Sequence, residues 1–177
     1  MIVGMSNKLA NGKPTNFLAA IANCFVLSEQ NVVFPTSESQ QIASEFVERF
    51  AVPGIRPKYH TIRKGNRHKP GRTLQIATGV RTKHYHCHTE VVCISVQDIE
   101  ILTSFSEGRH FTQRNMSIKI DDDFWLENER IEELCLNDGL DPSDFFDWFF
   151  SNSEHDSNYG CNVFNGQIIH WTKMKYI

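Results

Sequence analysis

The spacing of apolar residues changes twice along this chain, and that change restricts the fold more than any other sequence feature. Helical spacing in the first 50 residues gives way to short strand-like runs between residues 59 and 120, of which residues 73–78 alternate most regularly. Helical spacing returns at residues 126–136 and again from Pro142, before a last strand-like run at residues 167–171. This order predicts an α+β fold, a small and mostly antiparallel β-barrel with flanking helices and a helical insertion before the last strand.

Caps and chain breakers predict where these elements begin and end. Thr15 is expected to cap a first helix, and Thr36 or Ser37 to cap a second helix that runs through Phe50 to the break at Pro53. Further strands are expected at residues 59–63, within residues 84–102 and at residues 117–120, with a polar loop at residues 151–162.

The length and composition predict a single domain over residues 1–177. No stretch approaches 18 apolar residues, and the N-terminus lacks the basic-then-apolar order of a signal peptide, so we expect a cytoplasmic protein without a membrane span. The five cysteines are scattered and contain no C-x-x-C, which argues against a disulfide framework and against a four-cysteine zinc site.

Positive charge is concentrated in the middle of a chain whose net charge is −3. Nine of the 18 Lys and Arg residues fall between residues 56 and 83, and that stretch contains no Asp or Glu. A basic segment inside an acidic protein indicates a surface that meets an anionic partner. The nine residues are Arg56, Lys58, Arg63, Lys64, Arg67, Lys69, Arg72, Arg81 and Lys83.

Negative charge and aromatic residues are concentrated later in the chain. Residues 121–156 contain 13 Asp and Glu but a single Lys or Arg, Arg130. We interpret them as solvated helix faces, with the alternative that they orient nucleic acid toward the opposite side. The aromatic run at residues 145–150 is interpreted as core, with a protein-partner surface as the alternative.

The residues around Lys58 resemble the signature of the ASCH domain, a member of the PUA-like superfamily of small β-barrels linked to RNA and modified nucleosides. The family's signature is Gly-x-Lys-x-x-(Glu or Thr)-x-Arg, and this chain has Lys58-x-x-Thr61-x-Arg63 with Arg56 in the glycine's place. The order of later features is also similar: Gly71 before a strand, then Glu90-Val91-Val92-Cys93, Asn137-Asp138-Gly139-Leu140, Asp144-Phe145-Phe146 and Ile168-Ile169-His170-Trp171.

The resemblance implies a ligand site with a floor and a rim. Small amidohydrolases of the family remove acetyl from N4-acetylcytidine with a lysine, a threonine and a glutamate; Lys58 and Thr61 match the first two, while the glutamate's place falls on Arg114. Binding is therefore expected ahead of hydrolysis. The expected nucleic-acid-binding residues are Lys58, Thr61 and Arg63 as the floor and Arg67, Lys69, Arg72 and Arg81 as the rim.

Strand alternation complicates this site. On a regular strand Tyr59, Thr61 and Arg63 share one face and Lys58 and His60 the other, so Lys58 and Thr61 would need a bulge to meet one ligand. A desolvated Lys58 near other cations would have a lowered pKa and could act as a base or nucleophile. Arg63 could also be a structural ion-pair residue. Tyr59, Tyr85 and His60 could stack on bases or belong to the core.

Two further groups of side chains carry possible chemistry. His84, His86 and His88 alternate along one strand and would suit a zinc ion, but no carboxylate or further cysteine lies close in sequence to orient them. We therefore expect no metal and no cofactor, and interpret these histidines as a polar strand face. Glu90 and Asp138 are the carboxylates expected nearest the site.

Three function classes follow from these residues. The first is binding of RNA or a nucleotide through the basic cleft. The second is an enzyme with Lys58 and Thr61 as catalytic residues, either a hydrolase acting on a modified nucleoside or a ribonuclease. The third is a protein-interaction module that uses the acidic helices and the aromatic run.

Overall fold

The computed structural model describes residues 1–28, 31–107, 112–121, 124–150 and 161–176. Four helices and eight strands form in these residues, and the fold is α+β as predicted. The helices are α1 (Phe17–Leu27), α2 (Ser37–Phe50), α3 (Asn128–Asn137) and α4 (Pro142–Phe150). The strands are β1 (Ile2–Gly4), β2 (His60–Lys64), β3 (Thr73–Thr78), β4 (His86–Val92), β5 (Ser95–Glu107), β6 (Thr112–Ile120), β7 (Phe124–Trp125) and β8 (Cys161–His170).

The strands form two sheets. A three-stranded sheet has the order β1-β3-β4, and a five-stranded sheet has the order β2-β8-β5-β6-β7. Only the β1–β3 pair is parallel among the described strands, so the antiparallel character is as predicted. Hydrogen bonds of the described residues leave the two sheets separate and do not close a barrel.

The core lies between these sheets and the helices. β8 runs through its centre, pairing with β2 on one side and with β5 on the other. Ile168 and Ile169 of β8 are buried, and so is Trp171 directly after the strand. The aromatic run of α4 also faces inward, since Phe145 and Phe146 are buried as predicted. None of the described helices combines the length and the apolar character needed to cross a membrane.

Local signals explain most helix boundaries. Thr36 caps α2 as predicted, because its hydroxyl oxygen accepts a hydrogen bond from the Ser39 amide at 3.0 Å. The cap of α1 differs: Asn16 occupies that position in the left-handed region at φ 54°, while the Thr15 hydroxyl donates to the Ser6 carbonyl. β8 begins at Cys161, six residues before the predicted strand, and residues 151–160 of the predicted loop lie outside the described part of the chain.

Candidate functional site

Lys58 lies in the segment that enters β2, between α1 and α3. Its backbone amide donates to the Ala20 carbonyl of α1, and the next amide, of Tyr59, donates to the Asn137 carbonyl of α3, both at 2.9 Å. These two bonds fix the segment on both sides. The Lys58 side chain is 1% exposed, so it points into the protein rather than into an open groove.

The Lys58 ammonium is held by the turn that follows α3. Its Nζ donates to the Asp138 carboxylate at 2.7 Å and also to the Asp138 carbonyl. The ammonium lies 4.4 Å from the centre of the Phe17 ring, a cation–π contact. Gly139 follows at φ +82°, and a Cβ there would lie 3.4 Å from the Lys58 side chain, so glycine lets the turn close over the lysine.

Burial and charge act against each other in this pair. Burial lowers the pKa of Lys58 to about 8, because the attraction of Asp138 only partly offsets the loss of water and Arg63 adds a repulsion. This agrees with the lowered pKa expected for a desolvated Lys58. Burial alone would raise the pKa of Asp138, but the charge of Lys58 holds it below its usual value. Both groups are therefore charged at pH 7.

A second hydrogen-bond network extends from Asp138 to the C-terminal segment. His60 Nε2 lies 2.8 Å from the Tyr176 hydroxyl, and the Asn137 amide donates to the same hydroxyl oxygen at 3.2 Å. When the hydroxyl donates to Nε2, the proton of neutral His60 is on Nδ1, which lies 3.5 Å from the Asp138 carboxylate. His60 is fully buried and is not an exposed stacking face.

Thr61 and Arg63 lie on β2 but do not share a groove with Lys58. The register of β2 with β8 is continuous from His60 to Lys64 without a bulge, and Lys58 precedes the strand, so alternation does not govern its direction. Thr61 is buried, and Arg63 Nη2 donates to the Gly4 carbonyl of β1. Arg63 thus ties the two sheets together with a side chain that is only partly accessible.

The cations predicted as the rim are exposed but fall into two groups. The loop patch, defined as Lys64, Arg67, Lys69 and Arg72, precedes β3, and the turn patch, defined as Arg81 and Lys83, follows it. The strand between them in sequence, β3, is about 17 Å long, from five steps of about 3.3 Å. Among the described residues, no carboxylate lies within 4.0 Å of these six side chains.

Backbone contacts fix the loop that carries the loop patch. The His68 amide donates to the Gln167 side chain of β8 at 3.0 Å, and His68 is buried. The Gly71 amide donates to the Cys93 carbonyl, and the Cys93 amide donates to the Arg72 carbonyl, both at 2.8 Å. These bonds therefore fix the backbone of the loop, while its charged side chains are exposed to water.

Cavities open at several places on the described surface. A groove of about 820 Å³ with mixed polar and apolar walls lies between α1, α2 and residues 32–37, a cavity of about 380 Å³ lies beside Gly65 and β5, and one of about 130 Å³ lies beside Gly139. Neither Lys58 nor Thr61 nor Arg63 lines any of the three. The cavity beside Gly139 is far below the ~300 Å³ typical of ligand pockets, so it would not hold a nucleoside without widening.

The other candidate side chains are spread over the molecule. Asp138 is the predicted carboxylate that reaches Lys58, whereas Glu90 accepts a hydrogen bond from Gln75 within the three-stranded sheet. The side chain of Arg114 lies outside the described residues. In the part of the chain that the structure describes, no three His, Cys, Asp or Glu side chains are grouped to hold a metal ion.

Sequence reasoning missed Tyr176 and His170. His170 is fully buried against His60, with ring centres 5.4 Å apart, and neither of its nitrogens has a hydrogen-bond partner among the described residues. Burial and the neighbouring His60 lower the pKa of His170 to about 3, so it is neutral at pH 7. No local pattern marked Tyr176, although His170 belongs to the closing segment that carried the family resemblance.

Comparison with known protein-family models, curated proteins and solved structures finds no match to this chain.

Proposed function

We propose that this protein binds RNA through its loop patch and turn patch, on an ASCH-type fold of the PUA-like class. The observation that carries the proposal is a set of exposed cations, most of them on an anchored loop, that have no carboxylate partner among the residues the structure describes. Some cations elsewhere do have such partners: Lys13 pairs with Asp144, and Arg130 pairs with Glu133 at 3.4 Å. Unpaired cations can neutralise phosphates without first giving up an internal partner.

The separation of the two patches favours a strand over a single nucleotide. One phosphate cannot contact both ends of β3, about 17 Å apart. A chain of phosphates can follow such a spacing. A mononucleotide would therefore occupy one patch only and bind more weakly than an oligonucleotide.

In this proposal the buried residues support the surface instead of forming its floor. Asp138 neutralises Lys58, and Arg63 is engaged with β1, so neither side chain is available to a phosphate in this conformation. Arg63 pairs with Gln167 across β2 and β8, and the side chain of Gln167 holds the loop at His68. The signature residues thereby fix the strand from which the loop patch begins.

Hydrolysis of a modified nucleoside, or cleavage of RNA, is the second candidate. One observation favours it: Lys58 has a pKa of about 8 and an ionised Asp138 at 2.7 Å, so it could exchange a proton near neutral pH. The nucleoside would require an opening beside Gly139 larger than the existing 130 Å³ cavity. For this reason we place binding first.

The test is fluorescence anisotropy with a labelled single-stranded RNA of mixed sequence. The loop variant is Arg67→Ala/Lys69→Ala/Arg72→Ala, and the charge-matched control is Lys8→Ala/Lys173→Ala/Lys175→Ala, whose lysines are also exposed. If each loop cation contacts one phosphate, the loop variant loses about 100-fold in affinity at 0.1 M salt, and its salt slope falls by about 2. Equal losses in both variants would show that net charge, and not this surface, governs binding.

The alternatives are separated by two further measurements. The double variant Lys58→Met/Asp138→Asn, which leaves no uncompensated buried charge, should keep most RNA affinity under the binding proposal, whereas an enzyme would lose turnover of N4-acetylcytidine or of RNA with that change. If the wild-type chain binds neither RNA nor nucleoside at low salt, the binding and enzyme proposals both fail. The protein-interaction module, with its exposed acidic helices, then becomes the leading proposal.

A further inference from the structure

Two histidines of β4 lie side by side on one face of the three-stranded sheet. His86 and His88 are two positions apart on β4, where the register with β3 shifts and leaves His88 without a partner residue. Their side chains nevertheless meet: the ring centres are 4.5 Å apart, and the ring planes meet at 81°. The thiol of Cys87, which lies between them on the strand, approaches the Thr89 carbonyl.

This separation matches two imidazoles bound to one metal ion. A metal–nitrogen bond of about 2.0 Å plus about 1.2 Å to the ring centre puts each centre about 3.2 Å from the metal. Two adjacent ligands at a right angle then have ring centres about 4.5 Å apart, and a tetrahedral angle gives about 5.2 Å. The observed distance therefore fits neighbouring positions in a tetragonal coordination geometry.

The surroundings of His88 leave one nitrogen ready for a metal. His88 Nε2 lies 2.9 Å from the Thr78 hydroxyl, and the ring packs edge-on against Phe50 with centres 5.3 Å apart. When Nε2–H donates to the Thr78 oxygen, the lone pair is on Nδ1. His86 is exposed.

We infer that His86 and His88 form a two-histidine site for a divalent transition-metal ion, with Cu²⁺ bound most tightly and Ni²⁺ and Zn²⁺ more weakly. Water fills the remaining coordination positions, and an oxygen of a ligand could replace it. Arg49, which lies over Phe50 beside His88, repels a dication and keeps the affinity below that of a closed structural site. The inference is independent of RNA binding.

The test is a titration of the full-length chain with CuCl₂, followed by calorimetry and by the visible d–d absorption of histidine-bound Cu²⁺. His86→Ala should remove one bound equivalent relative to wild type without harming the fold, since this side chain is exposed. Thr78→Val should weaken the same equivalent about tenfold, because it removes the partner that orients His88. His84→Ala, which changes a neighbouring exposed histidine outside the ring pair, should retain full binding.

Either of two results would overturn the inference. The first is that His86→Ala binds as many equivalents as wild type, with the same affinity. The second is that His84→Ala loses the equivalent as fully as His86→Ala does, which would place the ion on the turn before β4 rather than on the ring pair.

Discussion

Removing one member of the Lys58–Asp138 pair should destabilise the protein severely. The two side chains are 1% and 4% exposed and their charged atoms are 2.7 Å apart, so each charge relies on the other in place of water. Lys58→Met or Asp138→Asn alone leaves an uncompensated buried charge, and we expect each to cost about 3–5 kcal/mol. For a domain with a typical stability of ~5–15 kcal/mol, that is a large share of the total.

The double variant Lys58→Met/Asp138→Asn should recover much of that loss. With both charges gone, neither desolvation penalty remains, so the double variant should cost at least about 2 kcal/mol less than the sum of the two single changes. Lys64→Met is the control, because Lys64 is an exposed lysine at the far end of β2 and should change stability by less than about 0.5 kcal/mol.

The pH dependence of the free energy of unfolding gives a second test of the same pair. The pKa of Lys58 falls from 10.5 in the unfolded chain to about 8 in the folded protein, so the unfolded state binds more protons between these values. Stability from this group therefore rises with pH between about 8 and 10.5, by about 3 kcal/mol in total. Lys58→Met should lack that rise.

Urea unfolding followed by tryptophan fluorescence measures these quantities, since Trp171 is fully buried. The free energy of unfolding is measured at pH 7 and pH 9 for wild type, both single variants and the double variant, which completes a double-mutant cycle. If the double variant costs as much as the two single variants together, or if each single variant costs less than about 1 kcal/mol, Lys58 faces water. Either result would refute the argument that Lys58 and Asp138 form a buried pair.

Three further predictions concern the surroundings of this pair. Gly139→Ala should cost about 1–2 kcal/mol in urea unfolding, because φ +82° strains any side chain; a cost near zero would contradict this. Tyr176→Phe should cost about 1–3 kcal/mol, because it leaves buried His60 without its hydroxyl partner, and an unchanged melting temperature would count against that bond. His170→Phe should make the protein less sensitive to acid. Because the pKa of His170 is about 3 in the folded protein and 6.5 in the unfolded chain, its contribution lowers the free energy of unfolding as the pH falls below 6.5, by about 3 kcal/mol at pH 4.5. Denaturation curves of the variant should lack this loss.

The sequence predicted elements whose signals are local. The cap at Thr36 and the regular alternation of Thr73–Thr78 each depend on a few neighbouring residues, and both were correct. Asp138 was suspected only through the family resemblance and lies 80 residues from Lys58, while Tyr176 lies 116 residues from His60. Spacing along the chain does not encode such pairs, because packing of α3 and of the C-terminal segment brings them together.

The charge count also could not reveal the shape of the basic surface. It treated residues 56–83 as one field, but β3 runs through that stretch and separates its exposed cations into two groups. Burial removed Lys58 from the surface entirely, since Asp138 lies close enough to replace its water. Adding up charges along the sequence therefore overestimated the positive charge at the surface. It also did not show that this charge is divided into two patches.

The position of β8 has a consequence for the order in which the protein is assembled. β8 is the last described strand to be synthesised, yet it lies between β2 and β5, and His60 pairs with His170. The five-stranded sheet cannot form on the ribosome until residue 170 has emerged, so the edges of β2 and β5 to which β8 pairs stay unpaired until then. Unpaired edges can pair with other chains, so this order exposes the nascent protein to aggregation until its last described strand is made.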